Sequence, residues 1–204
     1  MQQVRSRREL YSEATRAALL DEATRLFAQR GYAGTSLEDV AAASQVTRGA
    51  VYHHFDGKQA LFEAVLDAQE TRAIARITAA ATAADPLDAA RQALDAFLDQ
   101  CCDPDYGRLV WLEGPTALGW HRWRECEQKY AYGLVERFIT ALVEAGYLAD
   151  RARGSLVRFS FWMLGGAGLA LAEAPEADKP RLRGEWRYLI RRTVAGLRAA
   201  TPRR

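Results

Sequence analysis

Between Thr35 and Leu61 the chain reads TSLEDVAAASQVTRGAVYHHFDGKQAL, a stretch that strongly limits how the residues around it can fold. Ser36-Leu37-Glu38-Asp39 has the form of a capping box, with Ser36 able to accept an early backbone N–H and two acids at the positive end of the helix dipole. Leu37, Val40 and Ala41 then give a short helix one buried side. Ser44-Gln45-Val46 is long enough only for a turn, and Thr47 is a suitable N-cap for a second short helix reaching about Phe55. Upstream, Leu19, Ala23, Leu26 and Phe27 recur at helical spacing in a longer helix over 12–30, and Gly31 stands where a helix C-terminal glycine belongs. Two short helices joined by a tight turn, with a longer one before them, predict a helix-turn-helix.

The second short helix has the residues a major-groove reader needs. Gly49 and Ala50 in its first turn let the backbone approach a duplex, and Arg48 offers a fork of donors suited to guanine O6 and N7. Thr47, Tyr52 and His53 can donate to phosphate oxygens, and Lys58 stands at the start of the next helix, where free N–H groups also favour an anion. Val51 and Phe55 lie four apart and would anchor the helix to the core. Adjacent His53 and His54 project on different sides of a helix, so a metal site is not expected there.

On these residues the sequence resembles the TetR family of repressors. The agreement runs from Thr35 to Leu61 and is closest over Thr47-Arg48-Gly49-Ala50-Val51-Tyr52-His53-His54-Phe55, followed by Lys58; Gln59 departs from the acidic residue common after that lysine. The resemblance implies that Arg48 and Gly49 face bases, while Thr35, Ser36, Thr47, Tyr52, His53 and Lys58 hold the DNA backbone. It also implies a homodimer in which the last two helices, about 152–200, pair across a two-fold axis. Two recognition helices one DNA turn apart, roughly 34–36 Å, would then read a palindromic operator.

Beyond Asp56-Gly57 the pattern is helical throughout. Leu61, Phe62, Val65 and Leu66 open a long helix over 58–80, and further helices are expected over 86–101, 106–112, 117–145, 152–173 and 179–200. Asp85-Pro86, Asp103-Pro104, Gly114-Pro115, Gly146, Gly154 and the stretch from Pro175 to Pro180 mark the breaks. The expected architecture is all-α: a basic arm over 1–10 carrying Arg5, Arg7 and Arg8, a three-helix DNA-binding domain over 11–57, a connecting helix over 58–80, and a larger effector-binding and dimerisation domain over 81–204.

All five tryptophans lie beyond residue 110, in that larger domain. Phe97, Tyr106, Trp111, Trp120, Trp123, Tyr130, Phe159, Trp162 and Met163 are the candidates to line an apolar pocket for a small-molecule effector. Aromatics at helical spacing also make plain core, and a C-terminal domain that serves only dimerisation or protein interaction is the rival reading. His121, Arg122, Arg124, Glu125 and Glu127 can offer polar groups, although charges of alternating sign usually mark a solvated helix face. A cation over the tryptophans and an apolar acid paired to an arginine both stay open as ligands. Gly165-Gly166-Ala167-Gly168 permits close approach of another helix, from a second copy or from the chain itself.

Charge and cysteine content narrow the function classes. The net charge is only +2, and residues 1–70 carry 8 Lys and Arg against 10 Asp and Glu, so DNA binding must rest on local placement of cations rather than on their sum. Cys101, Cys102 and Cys126 lack the spacing of a disulfide framework or a zinc site, so no cofactor is expected. There is no nucleophile elbow, dinucleotide fingerprint or P-loop, which speaks against an enzyme. The N-terminus lacks an apolar segment after its basic residues and no uninterrupted apolar run is long enough to span a membrane, so a cytoplasmic protein without a membrane partner is expected.

Overall fold

The computed structural model describes residues 7–197, and every regular element among them is helical. Helix α1 (Arg7–Arg30) buries Leu19, Ala23, Leu26 and Phe27 and stops at Gly31, whose φ of +75° is the left-handed conformation that glycine adopts without steric cost. Helix α2 (Leu37–Ala43) starts from a complete capping box, and α3 (Arg48–His54) starts from Thr47, whose hydroxyl accepts the Ala50 N–H. Gln45, with φ of +56°, makes the turn between them. Residues 7–10, expected in a basic arm, belong to α1; Met1 to Ser6, with Arg5, lie outside the described residues.

Helix α4 (Gly57–Ala80) belongs to two packing environments. Its first turns bury Leu61, Phe62 and Val65 against α1, where the Phe27 and Phe62 rings meet edge to face at 5.1 Å. Its later turns carry Glu70, Ala73 and Ile77 against α5 (Pro86–Cys102). One continuous core therefore runs from Leu19 through α4 to Leu171 and Ile190, rather than two cores joined by a bare connector.

The next segment departs from expectation. The chain passes from α6 (Pro104–Tyr106) through a π-helical stretch, π1 (Gly107–Glu113), into α7 (Gly114–Leu118) without leaving helical backbone, so Gly114-Pro115 does not break it. In π1 the Gly114 N–H reaches back five residues to Leu109 O. Pro115 has no N–H to offer Val110 O in the same register, and that carbonyl instead accepts the indole N–H of Trp123 at 2.8 Å. The expected single helix over 117–145 is divided at Gly119, with φ of +77°, into α8 (Trp120–Glu127), a second π-helical turn π2 (Gln128–Tyr132) and α9 (Gly133–Glu144).

Helix α10 (Arg153–Glu173) packs on π1, α5, α9 and α11 (Lys179–Gly196). A Cβ at Gly168 would lie 2.4 Å from Trp111 Cζ2, so this glycine makes room for the chain's own tryptophan. Helix α10 also exposes Phe159, Trp162 and Leu169, and α11 adds Tyr188 and Leu189. Helix α10 is long and apolar enough to pass a membrane-span test by composition, but its buried flank is part of the protein core.

Candidate nucleic-acid interface and ligand cavity

Helix α3 turns Val51 inward and presents Thr47, Arg48, Gly49, Tyr52 and His53 to solvent. Arg48 Nη1 pairs with Glu38 of α2 at 2.9 Å, its Nη2 donates to the Tyr52 hydroxyl at 3.2 Å, and the guanidinium lies 5.4 Å from the centre of that ring. The Tyr52 hydrogen bond, with the Glu38 charge, holds the Arg48 pKa above its ordinary value. Lys58 Nζ sits 4.3 Å over the Tyr32 ring. Arg48, Tyr52, Lys58 and Ser36 line one shallow, open groove beside Gly34 and Glu38. Nothing lies closer to a Cβ built on Gly49 than Thr47 Oγ1 at 3.8 Å, so its outer side is open to a close approach. Burial, with His53 and Arg16 nearby, keeps His54 below the ordinary imidazole value.

Two of the residues expected to hold phosphate are occupied elsewhere. Thr35 is buried, and its hydroxyl donates to the carbonyls of Leu26 and Gly31, because a hydroxyl withdrawn from water must find a partner inside. Ser36 Oγ donates to Asp39 Oδ2 at 2.6 Å and accepts the Asp39 N–H at 3.1 Å. The Ser36 hydroxyl foremost, and then the Ser36 backbone N–H that also donates to Asp39 Oδ2, hold the Asp39 carboxyl below the ordinary carboxylate range. Both residues shape the entry to α2 rather than offering a free donor. Glu38, read from the sequence only as an acid at the start of α2, turns out to be the resident partner of Arg48.

A cavity of about 650 Å³ opens among α4, α5, π1, α8, α9 and α10. Phe97, Tyr106, Trp111, Trp120, Trp123, Trp162 and Met163 lie on its wall. Tyr130 and Phe159 do not. The Tyr130 hydroxyl is drawn to Asp67 of α4 and Lys129, and Phe159 is 49% exposed on the outer face of α10. The wall also holds six charged residues, Glu70, Arg91, Arg124, Glu127, Glu173 and Arg191, of which only Glu70 and Glu127 are fully buried. Glu70 is 3% and Glu127 6% exposed, and Tyr106 donates its hydroxyl proton to Glu70 Oε1 at 2.8 Å. Burial lifts the Glu70 pKa to about 7 in spite of that bond, and burial together with the Glu70 charge lifts Glu127 well above the carboxylate range. Their positions were visible as periodicity, since Glu70 follows Leu66 by four on the buried stripe of α4 and Glu127 follows Trp123 by four. His121, Arg122 and Glu125 stay exposed, as a solvated face should; Arg122 forms a two-bond pair with Glu63 of α4.

The π1 segment touches both regions. Trp111 lines the cavity, while Glu113 Oε2 accepts the Tyr32 backbone N–H at 2.9 Å just beyond the end of α1. Arg108 donates to Gln29 O at 3.2 Å, and a Cβ on Gly31 would come within 2.6 Å of Glu113 Oε1. The end of α1 therefore fits closely against the same backbone that carries the cavity tryptophan.

Comparison with known proteins bears on both regions. Residues 19–65 match the sequence model described as bacterial regulatory proteins, tetR family, and residues 87–197 match that of the Tetracyclin repressor-like C-terminal domain. The chain is 26% identical over 136 residues to the TetC protein of transposon Tn10 from Escherichia coli, covering 67% of this chain and 69% of that protein. It is 42% identical over 85 residues to the HTH-type transcriptional regulator TtgR of Pseudomonas putida, a match spanning 41% of this chain and 40% of that one. A crystal structure of a TetR-family transcriptional regulator from Pectobacterium atrosepticum superposes with a TM-score of 0.81 at 29% identity, covering 98% of this chain and all of that one.

Proposed function

The chain belongs to the TetR family of bacterial regulatory proteins, which are DNA-binding and non-enzymatic, and on that premise we propose that it is a cytoplasmic homodimeric repressor released from a palindromic operator by a small molecule in the aromatic cavity. In this reading Arg48 and Gly49 face bases, and Thr47, Tyr52, His53 and Lys58 hold the DNA backbone. Binding exchanges the Glu38 partner of Arg48 for guanine or phosphate acceptors, which removes an exposed pair worth little in water. The exposed apolar residues Phe159, Leu169, Tyr188 and Leu189 on α10 and α11 supply a surface for pairing with a second copy.

The observation that carries the reading is the double attachment of π1, through Trp111 to the cavity and through Glu113 to Tyr32. An effector that displaces Trp111 shifts Glu113, changes the seat of α1 and favours dimers whose recognition helices no longer match the operator. Such a shift requires that the effector bind the two conformers with different affinity. A cavity of about 650 Å³ is within the range of small-molecule sites, which weighs against a C-terminal domain used only for dimerisation.

The test is a mobility-shift titration against the DNA flanking the protein's own gene and against a random-sequence pool, at two salt concentrations, with Arg48→Ala as control. Saturable, salt-sensitive binding that the variant loses is expected. Absence of specific binding in both pools would overturn the DNA-reader assignment.

A further inference from the structure

The cavity wall is mostly apolar and aromatic; Arg91, Arg124, Glu173 and Arg191 reach it as partly or fully exposed residues, and the charged residues buried in it are two acids, Glu70 from α4 and Glu127 from α8. Replacing water around an unpaired carboxylate by apolar surroundings costs far more than burying a leucine of similar size, so a purely structural wall would not carry two. Tyr106 supplies one hydrogen bond, to Glu70 Oε1. Glu127 makes no hydrogen bond or ion pair among the described residues. Among the described residues no cation pairs with either acid: Arg91 is paired with Asp88, Arg191 with Asp95, and Arg124, on the same wall with its Nε buried and without a hydrogen-bond partner, forms no ion pair with them. The other titratable groups against the pair, Tyr106 and Cys101, are a phenol and a thiol, neither of them a cation. Trp111, Trp120 and Trp123 stand on the same wall, with ring centres of Trp120 and Trp123 5.0 Å apart.

We propose that the cavity takes a lipophilic cation, an amine or quaternary ammonium whose positive group is held by Glu70 and Glu127 and whose apolar body lies along the tryptophans. The inference rests on reading the cavity as the effector site and adds the ligand's chemical class. Burial raises the proton affinity of both acids, so that a proton can stand in for the missing cation. A ligand that brings its own positive charge does the same work. Its entry is an exchange: the carboxylic acid gives up its proton to solvent, and the carboxylate left behind pairs with the ligand cation. The indole faces add cation–π attraction that a neutral ligand of the same shape lacks.

The experiment uses the full-length protein and three anthracene probes of matched size, bearing trimethylammonium, tert-butyl or carboxylate groups. Affinity is read by tryptophan quenching and calorimetry in two buffers of different ionisation enthalpy. The trimethylammonium probe is expected to bind about tenfold or more tighter than its tert-butyl isostere and to release protons. Glu70→Gln and Glu127→Gln are expected to remove that preference while leaving tert-butyl binding, which reports an intact cavity, unchanged. Should either variant fail to fold, the charge series and the proton release in the native protein decide. Equal binding of cation and isostere, tightest binding of the carboxylate, binding of none, or a preference that survives both Gln variants would each overturn the proposal. Cation-selective binding that leaves operator affinity unchanged would instead overturn the effector reading and leave the cation site standing.

Discussion

Glu113 Oε2 accepts the backbone N–H of Tyr32 at 2.9 Å, joining the turn after α1 to a segment whose Trp111 lines the cavity. The bond is partly buried and charge-assisted, so its loss leaves an amide with neither protein nor full water as partner. Glu113→Ala is expected to cost about 1–3 kcal/mol of stability. It is also expected to weaken the effect of a cavity ligand on operator binding more than it weakens operator binding itself. Thermal melts and mobility shifts with and without ligand check both.

Gly168 sets the position of Trp111. A methyl group there would fall 2.4 Å from Cζ2, inside any van der Waals contact, so either the indole or α10 must shift. Gly168→Ala is expected to destabilise by about 1–3 kcal/mol through overpacking. Adding Trp111→Phe should recover part of the loss, and denaturant titration of the two variants shows whether it does.

At the DNA face, Arg48→Ala is expected to cost about 1–3 kcal/mol of operator binding and to relax base preference, whereas Lys58→Ala should weaken all sequences alike and lower the salt slope by about one. Glu38→Gln frees Arg48 from its resident anion and should raise operator affinity modestly. Binding titrations over a range of salt separate the three.

Stability should fall as pH rises from about 5 to about 8. Burial lifts Glu70 to about 7 in the fold against an ordinary 4.5, and Glu127 is raised in the same direction. Over that window the folded protein keeps protons that the unfolded chain has released, so each pH increment favours unfolding. Stability from the protonated pair is complete below the ordinary carboxylate value and is lost through the folded one. Denaturant midpoints across the window should flatten in Glu70→Gln and Glu127→Gln; an unchanged slope would count against the buried acids as its cause.

The exposed face of α10 and α11 predicts a dimer that depends on apolar contact. Phe159→Glu combined with Leu189→Glu is expected to give monomers with an intact helical spectrum and greatly weakened operator binding. Sedimentation velocity reports the first effect and mobility shift the second. An unchanged dimer would place the interface elsewhere.

The helices of the N-terminal region were legible because their signals are local. Ser36 with Asp39, Thr47 with Ala50 and Gly31 after Arg30 each act within one turn of backbone, and the buried stripe of α1 repeats at helical spacing. The break expected at Gly114-Pro115 failed for the opposite reason. Proline withholds an N–H, but the carbonyl it strands is satisfied by Trp123, from a helix eight residues further on. Thr35 and Ser36 were placed on the DNA by motif position, yet a hydroxyl serves whichever acceptor or donor the fold brings nearest.

The cavity was legible only as a concentration of aromatics. Which of them face it depends on how α8 and π2 rotate after Gly119, and a π-helical turn shifts every following side chain around the axis. Within π2 that rotation takes Tyr130 to Asp67, while Glu127, four residues after Trp123 in α8, follows the indole inward, although a pattern of alternating charges reads as a solvated face. What the sequence determined by itself is the order of helices, their caps and the residues displayed by α3, since these follow from interactions within a few residues. Tertiary structure alone decided which polar groups lost water, because burial depends on what the rest of the chain stacks over a residue. Through it came the pairing of Arg48 with Glu38, the link from Glu113 to Tyr32 and the meeting of Glu70 with Glu127.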